Sequence, residues 1–410
     1  MTAISNYVAS NDALEVSRSS YSQYISFGEE SNHDFGEDSG HGEENKHQEE
    51  ASPKSLVENE CMQALTLLRR NSSFFTDQDT IGGVVKDPEH IPQDEIELGI
   101  VLGKGSFSSV RALGRLDSNG LVSSNNHLSL SAHASRVFGG GEREQSYAMK
   151  KVRTDIDYPT QLEGVVDLFN ESQFLRKLSH PNIVKLKGCG EKLDIEDFYV
   201  VLDRFECTLV ELLRRLRNQK LTIRNSKHSS TEKKEQKGEI VRKQYTIVQQ
   251  IGSALDYLHS KNIMHRDLKP QNIGIDEFDN VKIFDFGTAK ELKPDSKIGE
   301  DQYKNTAETG SPRYMAPEVL SDVYGLPADI YSFTLIFWQV LTMKTPFWNL
   351  AGRNSFSNCV HEKGVRPKLK LFWPGKIKKI LSKGWHRDAS KRPKIDFYYE
   401  VIKQEYKKHS

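Results

Sequence analysis

Cysteine is scarce, with four in 410 residues: Cys61, Cys189, Cys207 and Cys359. They are scattered, with neither the close pairs of a metal site nor the density of a disulfide framework. A reducing, intracellular setting is therefore expected. Net charge is also lacking, because 57 basic residues balance 57 acidic ones. The chain as a whole has nothing with which to attract nucleic acid or an anionic membrane surface, so neither partner is expected. Long apolar runs are missing too. The most apolar stretch, Tyr331 to Leu341, is too short to span a bilayer and reads as a buried helix. The opening residues MTAISNYVAS have no basic start and no apolar core, so no secretory signal is expected. Nothing repeats along the chain.

What is present divides into three parts. Residues 1–55 are rich in Ser, Glu, Asp, Gly and His and have almost nothing to bury. Such a segment cannot offset the entropy of ordering, so a disordered acidic tail is expected. Residues 56–95 read as a short amphipathic helix, marked by Leu56, Cys61, Leu65 and Leu68, followed by a linker. From residue 96 to about 406 the patterns are those of an α+β fold, strand-rich first and helix-rich after. Two polar stretches, at about 117–145 and 218–238, interrupt it and read as loop insertions. The second is lysine-rich and is also a candidate nuclear address.

Between two strand patterns lies Gly103-Lys104-Gly105-Ser106-Phe107-Ser108-Ser109-Val110. Glycines let a backbone approach phosphates closely and accept positive φ. Alone this is weak, since an ordinary hairpin turn reads the same way. Ser108 stands where a third glycine is usual, and no Gly-Lys-Ser/Thr opens a helix as in a Walker loop.

A stronger signal follows. His265-Arg266-Asp267-Leu268-Lys269-Pro270-Gln271-Asn272 precedes Asp285-Phe286-Gly287, and Ala316-Pro317-Glu318 comes later. In order and spacing these resemble the eukaryotic protein kinase signatures, and the resemblance covers residues 96 to about 406. It implies a two-lobed fold, with an N-terminal antiparallel β-sheet lobe carrying one main helix and a C-terminal lobe of mostly α-helix. It implies transfer of the γ-phosphoryl group of ATP, with Mg²⁺, to a protein hydroxyl. Such transfer needs an aimed hydroxyl and neutralised charge rather than covalent help. On this resemblance Asp267 accepts the hydroxyl proton, Asn272 and Asp285 hold the metal through hard oxygens, and Lys269 steadies the γ-phosphate.

Lys150, in Tyr147-Ala148-Met149-Lys150, resembles the lysine that binds the α- and β-phosphates, with Glu171 as its helix partner. Lys151 is the rival. Alternation along a strand favours Lys150, which shares a face with Ala148. The adenine pocket implied by the family comprises Leu102, Gly103, Gly105, Val110 and Ala148, the backbone from Asp203 to Phe205, and Leu202 as gatekeeper. Gly274 departs from the pattern, standing where an aliphatic side chain usually underlies adenine. A roomier floor and weaker ATP binding are expected from it.

Lys269-Pro270 and Gly310-Ser311-Pro312-Arg313-Tyr314-Met315 match the serine/threonine form. Asp329-Ile330-Tyr331-Ser332-Phe333 looks similar to the tyrosine-kinase-like group, although Pro270 and Thr334 depart from it. Arg266 is the family's clamp for an activation-loop phosphate, which makes Thr306 and Thr309 candidate targets of an upstream activating kinase. Ser311 is expected to bond Asp267 and Lys269. Asp329 should tie the catalytic loop to a helix, Arg392 should pair with Glu318, and Leu175, Phe286 and His265 should stack as an apolar column. A catalytically dead relative and a scaffold are the alternatives. The first usually lacks one of Lys150, Asp267, Asn272 and Asp285, and all four are present. Signalling in the cytoplasm or nucleus, on protein substrates, is the resulting expectation.

Overall fold

The computed structural model describes residues 89–90, 96, 98–113, 147–190 and 195–408. The acidic tail, the helix expected after residue 56 and the first insertion lie outside the described residues.

The first lobe is built on one sheet. Its strands are β1 Glu89–His90, β2 Leu98–Lys104, β3 Ser108–Leu113, β4 Tyr147–Val152, β5 Leu186–Cys189 and β6 Tyr199–Asp203, in the order β1-β5-β6-β4-β3-β2. Five strands pair antiparallel, as expected. The sixth, β1, runs parallel to β5 and lies ahead of the expected start at residue 96. Two residues carry no periodicity, so no pattern announced it. One face of the sheet buries Leu113, Tyr147, Met149, Tyr199 and Val201, with Ile96 packed against them. The other face receives α1, Tyr158–Lys177. Asp157 caps this helix by accepting the N–H of Thr160, and Pro159 fits its first turn. Arg176 and Lys177 close it at the negative end of the helix dipole. Leu162, Val165, Val166 and Leu175 of α1 are buried with Val152, Val200 and Leu202 of the sheet.

After the connection that follows β6, residues 204–206, here called the hinge, comes the helical lobe: β7 Cys207–Thr208, α2 Leu209–Asn225 and α3 Ser230–Ser260. Here the structure corrects the loop expected at 218–238. Both helices run through it, leaving only residues 226–229 between them. Lys, Arg, Glu and Gln are good helix formers. Capping boxes at Thr208/Glu211 and Ser229/Glu232 start each helix. The stretch is polar because most of its perimeter faces water, with Ile223 the buried exception.

Short pairs follow: β8 Ile263–Met264, β9 Ile273–Ile275, β10 Val281–Ile283 and β11 Lys290–Glu291. Strands β12 Lys297–Gly299, β13 Gln302–Lys304 and β14 Val323–Tyr324 form a small antiparallel sheet inside the segment between Gly287 and α4, Pro327–Thr342. Apolar side chains surround α4, and Tyr331, Phe333, Leu335, Ile336, Phe337 and Val340 are wholly buried, as befits the central helix of a lobe. Helices α5 Arg353–Phe356, α6 Gly375–Gly384 and α7 Ile395–Lys407 complete the chain. Among the described residues no helix is long and apolar enough to cross a membrane.

Candidate active site

The backbone between β8 and β9 carries the His265–Asn272 motif. Asp329, in the first turn of α4, reaches beneath it. Its two oxygens accept the N–H of His265 at 2.8 Å and of Arg266 at 3.0 Å. Arg266 has φ +65°, a left-handed conformation that is strained for any side chain but glycine. Burial alone would push the Asp329 carboxyl up, but His259 and the backbone donors outweigh it and hold its pKa below the ordinary value. His265 Nδ1 accepts the N–H of Asp267 at 3.3 Å, so Nε2 carries the proton and donates to the Phe284 carbonyl at 3.1 Å. Its ring lies 5.0 Å from that of Phe286, and Leu175 and Phe286 belong to one buried cluster. The His265–Phe286 stack is one half of the expected column, and Leu175 is buried in the same core.

Asp267, Lys269, Asn272 and Ser311 form one network. Asp267 Oδ1 accepts the Ser311 N–H at 2.8 Å, and Oδ2 accepts Lys269 Nζ at 2.6 Å and Asn272 Nδ2 at 3.2 Å. Lys269 Nζ also donates to Ser311 Oγ at 2.9 Å, which closes the ring. Gly310 makes the approach achievable. Its φ is +102°, and a Cβ there would strike the Arg266 carbonyl oxygen.

A second network lies between the lobes. Lys150 Nζ is 2.6 Å from Glu171 Oε2 and 2.8 Å from Asp285 Oδ1. The other oxygen of Glu171 accepts the N–H of Asp285 at 3.0 Å and of Phe286 at 3.3 Å. Asp285 is also left-handed, with φ +67°. Burial disfavours the Lys150 ammonium, but Asp285 and Glu171 more than compensate and its pKa lies above the ordinary value. Burial likewise opposes the Asp285 charge, and Lys150 outweighs it, so that carboxyl lies below the usual range. Lys151 points to the other face, in register with Ser109 and Tyr199.

Register places the expected pocket residues together. Val110, Lys150 and Val200 stand side by side across three strands, and Ala112, Ala148 and Leu202 beside them on the same face. Leu102 lies in β2 and is exposed. The Gly105 N–H donates to the Ser108 carbonyl at 2.7 Å, so Ser108 closes the glycine turn through its backbone. Gly103 has open space where a Cβ would sit. Asp203 ends β6, ion-paired with Lys187 at 3.2 Å, and Phe205 follows two residues later.

The floor is not roomier, contrary to expectation. The Phe205 ring fills the space over Gly274, with ring carbons 2.6 and 2.8 Å from where a Cβ of residue 274 would lie. Phe205 in turn stacks on Phe284, with centroids 5.0 Å apart.

The donor set suits a hard divalent cation. Asp285 engages Lys150 through Oδ1, which leaves Oδ2 for a metal. The Asn272 amide nitrogen turns to Asp267, which leaves its oxygen. Magnesium commonly takes one or two protein oxygens and fills its shell with phosphate and water. Among the described residues there is no cluster of three or more His, Cys, Asp or Glu that could hold a metal ion.

Thr306 is buried, and its hydroxyl has no hydrogen-bond partner. The Thr309 hydroxyl donates to the Thr306 carbonyl at 3.0 Å, and Thr309 shares a small cavity with Arg266 and Tyr324. Arg392 meets Glu318 as expected, and the structure shows the pair to be bidentate, with bonds of 2.5 and 2.7 Å. Sequence reasoning missed Asn170, whose buried side-chain amide donates to the Gly287 carbonyl at 2.7 Å and so anchors the start of the activation segment on α1. Its face of α1 also carries Asp167 and Gln173, so no break in an apolar pattern singled it out.

Residues 133–406 match the protein kinase domain family. The chain belongs to the protein kinase family. The match begins after the glycine hairpin, yet the register above joins that hairpin to the kinase sheet. Similar proteins include the serine/threonine-protein kinase/receptor R826 of Acanthamoeba polyphaga mimivirus, 32% identical over 63% of this chain and 14% of that protein. Serine/threonine-protein kinase STY17 of Arabidopsis thaliana is 36% identical over 38% of this chain and 26% of its own length. Dual specificity protein kinase shkB of Dictyostelium discoideum is 28% identical over 65% of this chain and 37% of its own. The chain thus spans well under two thirds of each of these relatives.

Proposed function

We propose that this kinase transfers the γ-phosphoryl group of ATP to serine and threonine hydroxyls of protein substrates. The substrate oxygen bonds to the γ-phosphorus as the bond to the β–γ bridging oxygen breaks. The hydroxyl proton passes to Asp267, and ADP leaves. Lys269 steadies charge on the γ-phosphate, Lys150 binds the α- and β-phosphates, and Glu171 holds Lys150 in place. Asn272 and Asp285 hold Mg²⁺, which neutralises phosphate charge when bound. Leu102, Gly103, Gly105, Val110 and Ala148 cover the nucleotide, and the backbone from Asp203 to Phe205 bonds the adenine edge. These roles rest chiefly on one observation: Asp267 is held by Lys269, Asn272 and Ser311 while Lys150 bridges Glu171 and Asp285. The presence of all four residues that catalytically dead relatives tend to lose speaks against that reading.

The Lys269–Ser311 bond supports the serine/threonine assignment, and the resemblance of the α4 motif supports membership of the tyrosine-kinase-like group. Phosphorylation by an upstream kinase acts at Thr309, beside Arg266, because Thr306 is buried. The work is done in the cytoplasm or nucleus.

The test is transfer of labelled γ-phosphate to generic protein substrates with Mg²⁺, comparing wild type with Asp285→Asn. Label on serine or threonine, abolished by Asp285→Asn, is expected. Folded wild type that transfers nothing even after phosphorylation of its activation segment would overturn the proposal.

A further inference from the structure

Within β9, Ile273 and Ile275 are buried in the main core. Side chains alternate along a strand, so residue 274 faces the opposite way, the side on which Asn272 lies two residues earlier. On the paired strand β10, Lys282 is the register partner of Gly274, and Phe284 continues that face immediately before Asp285. Phe205 arrives on the same side from the hinge. Its ring stacks on Phe284 with an interplanar angle of 29° and lies directly over Gly274. Gly274 has no left-handed φ, so its backbone does not call for glycine. What excludes a larger residue is the Phe205 ring.

We infer that Phe205 is the floor on which the adenine ring lies, and that Gly274 is glycine in order to seat it. The inference rests on the kinase reading above. The hinge segment then serves the nucleotide twice, its backbone bonding the purine edge and its side chain meeting the purine face. The aliphatic floor usual in the family is moved from the strand to the hinge and becomes aromatic. A flat ring backed by a second ring is suited to hold a base by stacking, which is worth about 1–3 kcal/mol per base, or roughly 5- to 150-fold in affinity.

Three variants and two ligands test this. Binding of MgATP and of magnesium tripolyphosphate, which has the phosphates without the base, is measured for wild type, Phe205→Ala, Gly274→Leu and the double variant. Thermal unfolding without ligand checks each fold. Phe205→Ala should weaken MgATP about 10-fold or more while tripolyphosphate binding holds. Gly274→Leu alone should weaken MgATP further, because leucine and the ring compete for one space. The double variant should regain affinity over Gly274→Leu, since leucine then supplies the floor. The inference is overturned if Phe205→Ala leaves MgATP binding unchanged, weakens both ligands equally, or if the double variant binds no better than Gly274→Leu. A folded wild type that binds no MgATP would sink the kinase reading as well; binding with any of the three failures above sinks only the floor.

Discussion

The carboxylate of Asp329 holds the backbone N–H of Arg266 in a left-handed turn, 3.0 Å away and shielded from water. The residue after that turn is Asp267, so the orientation of the proposed base depends on a side chain that never meets substrate. Asp329→Asn replaces one acceptor oxygen by an NH₂ facing a backbone donor. Hydrogen bonds to charged groups contribute about 1.5–3 kcal/mol, and a loss of that size is expected in urea unfolding at pH 7. The folded-state pKa of Asp329 is depressed, so its contribution is present above the ordinary value of 3.8 and is lost as pH falls through the folded value. The gap between wild type and Asp329→Asn should therefore narrow in acid. A gap independent of pH would contradict the assignment.

Glu171→Gln should disable the inter-lobe network without removing its backbone bonds. The glutamine oxygen can still accept from Asp285 and Phe286, but Lys150 loses one of its two carboxylates. Removing one partner of a buried pair typically costs about 3–5 kcal/mol, and a loss near the lower end is expected because Asp285 remains. Phosphoryl transfer should fall on the order of 100-fold, as when one preorganised electrostatic contact is removed. Steady-state kinetics with varied ATP would show whether kcat or KM carries it.

The two threonines of the activation segment should separate. Thr306 is buried with an unpartnered hydroxyl, so Thr306→Val should stabilise the fold by about 1 kcal/mol and leave phosphorylated activity intact. Thr309→Ala should remove the gain that phosphorylation brings, since a phosphate there pairs with arginine. If Thr306→Val rather than Thr309→Ala abolishes that gain, the assignment is reversed.

Thr334 stands in α4 where the family usually has glycine, and the structure shows how it is accommodated. Its hydroxyl donates to the Ile330 carbonyl at 2.7 Å and bonds the Tyr398 hydroxyl at 2.6 Å. Both hydroxyls occupy the place where a Cβ on Gly384 would lie. Gly384→Ala should therefore cost about 1–3 kcal/mol by overpacking, and Tyr398→Phe should recover part of it. Chemical denaturation of both variants decides this.

The phosphate-side site was legible because its parts are contiguous: the residues of 265–272, 285–287 and 310–318 signal by order alone, and strand alternation separated Lys150 from Lys151. Three features were not legible. The α2–α3 extension reads as a loop because a helix with one buried residue per several turns has almost no periodicity. Strand β1 is two residues long, and only its partner β5 gives it meaning. The replacement of a floor side chain by Phe205 joins positions 69 apart, and a glycine seen alone reads as an empty space.

The edge-to-edge order of the first sheet has a consequence for chain length. Strand β1 sits on one margin and β2 on the other, five spacings or about 24 Å apart. The chain makes eight Cα steps from His90 to Leu98, which reach at most about 26–29 Å. Ile96, two residues before β2, packs on the sheet face that buries Met149 and Val201. Register also sets Leu98 three residues along the strands from the row of His90, so about 26 Å must be spanned and the slack is at most about one residue. Lengthening this connection is tolerable, whereas removing two residues would unhook β1 and uncover the free margin of β5 to any passing strand.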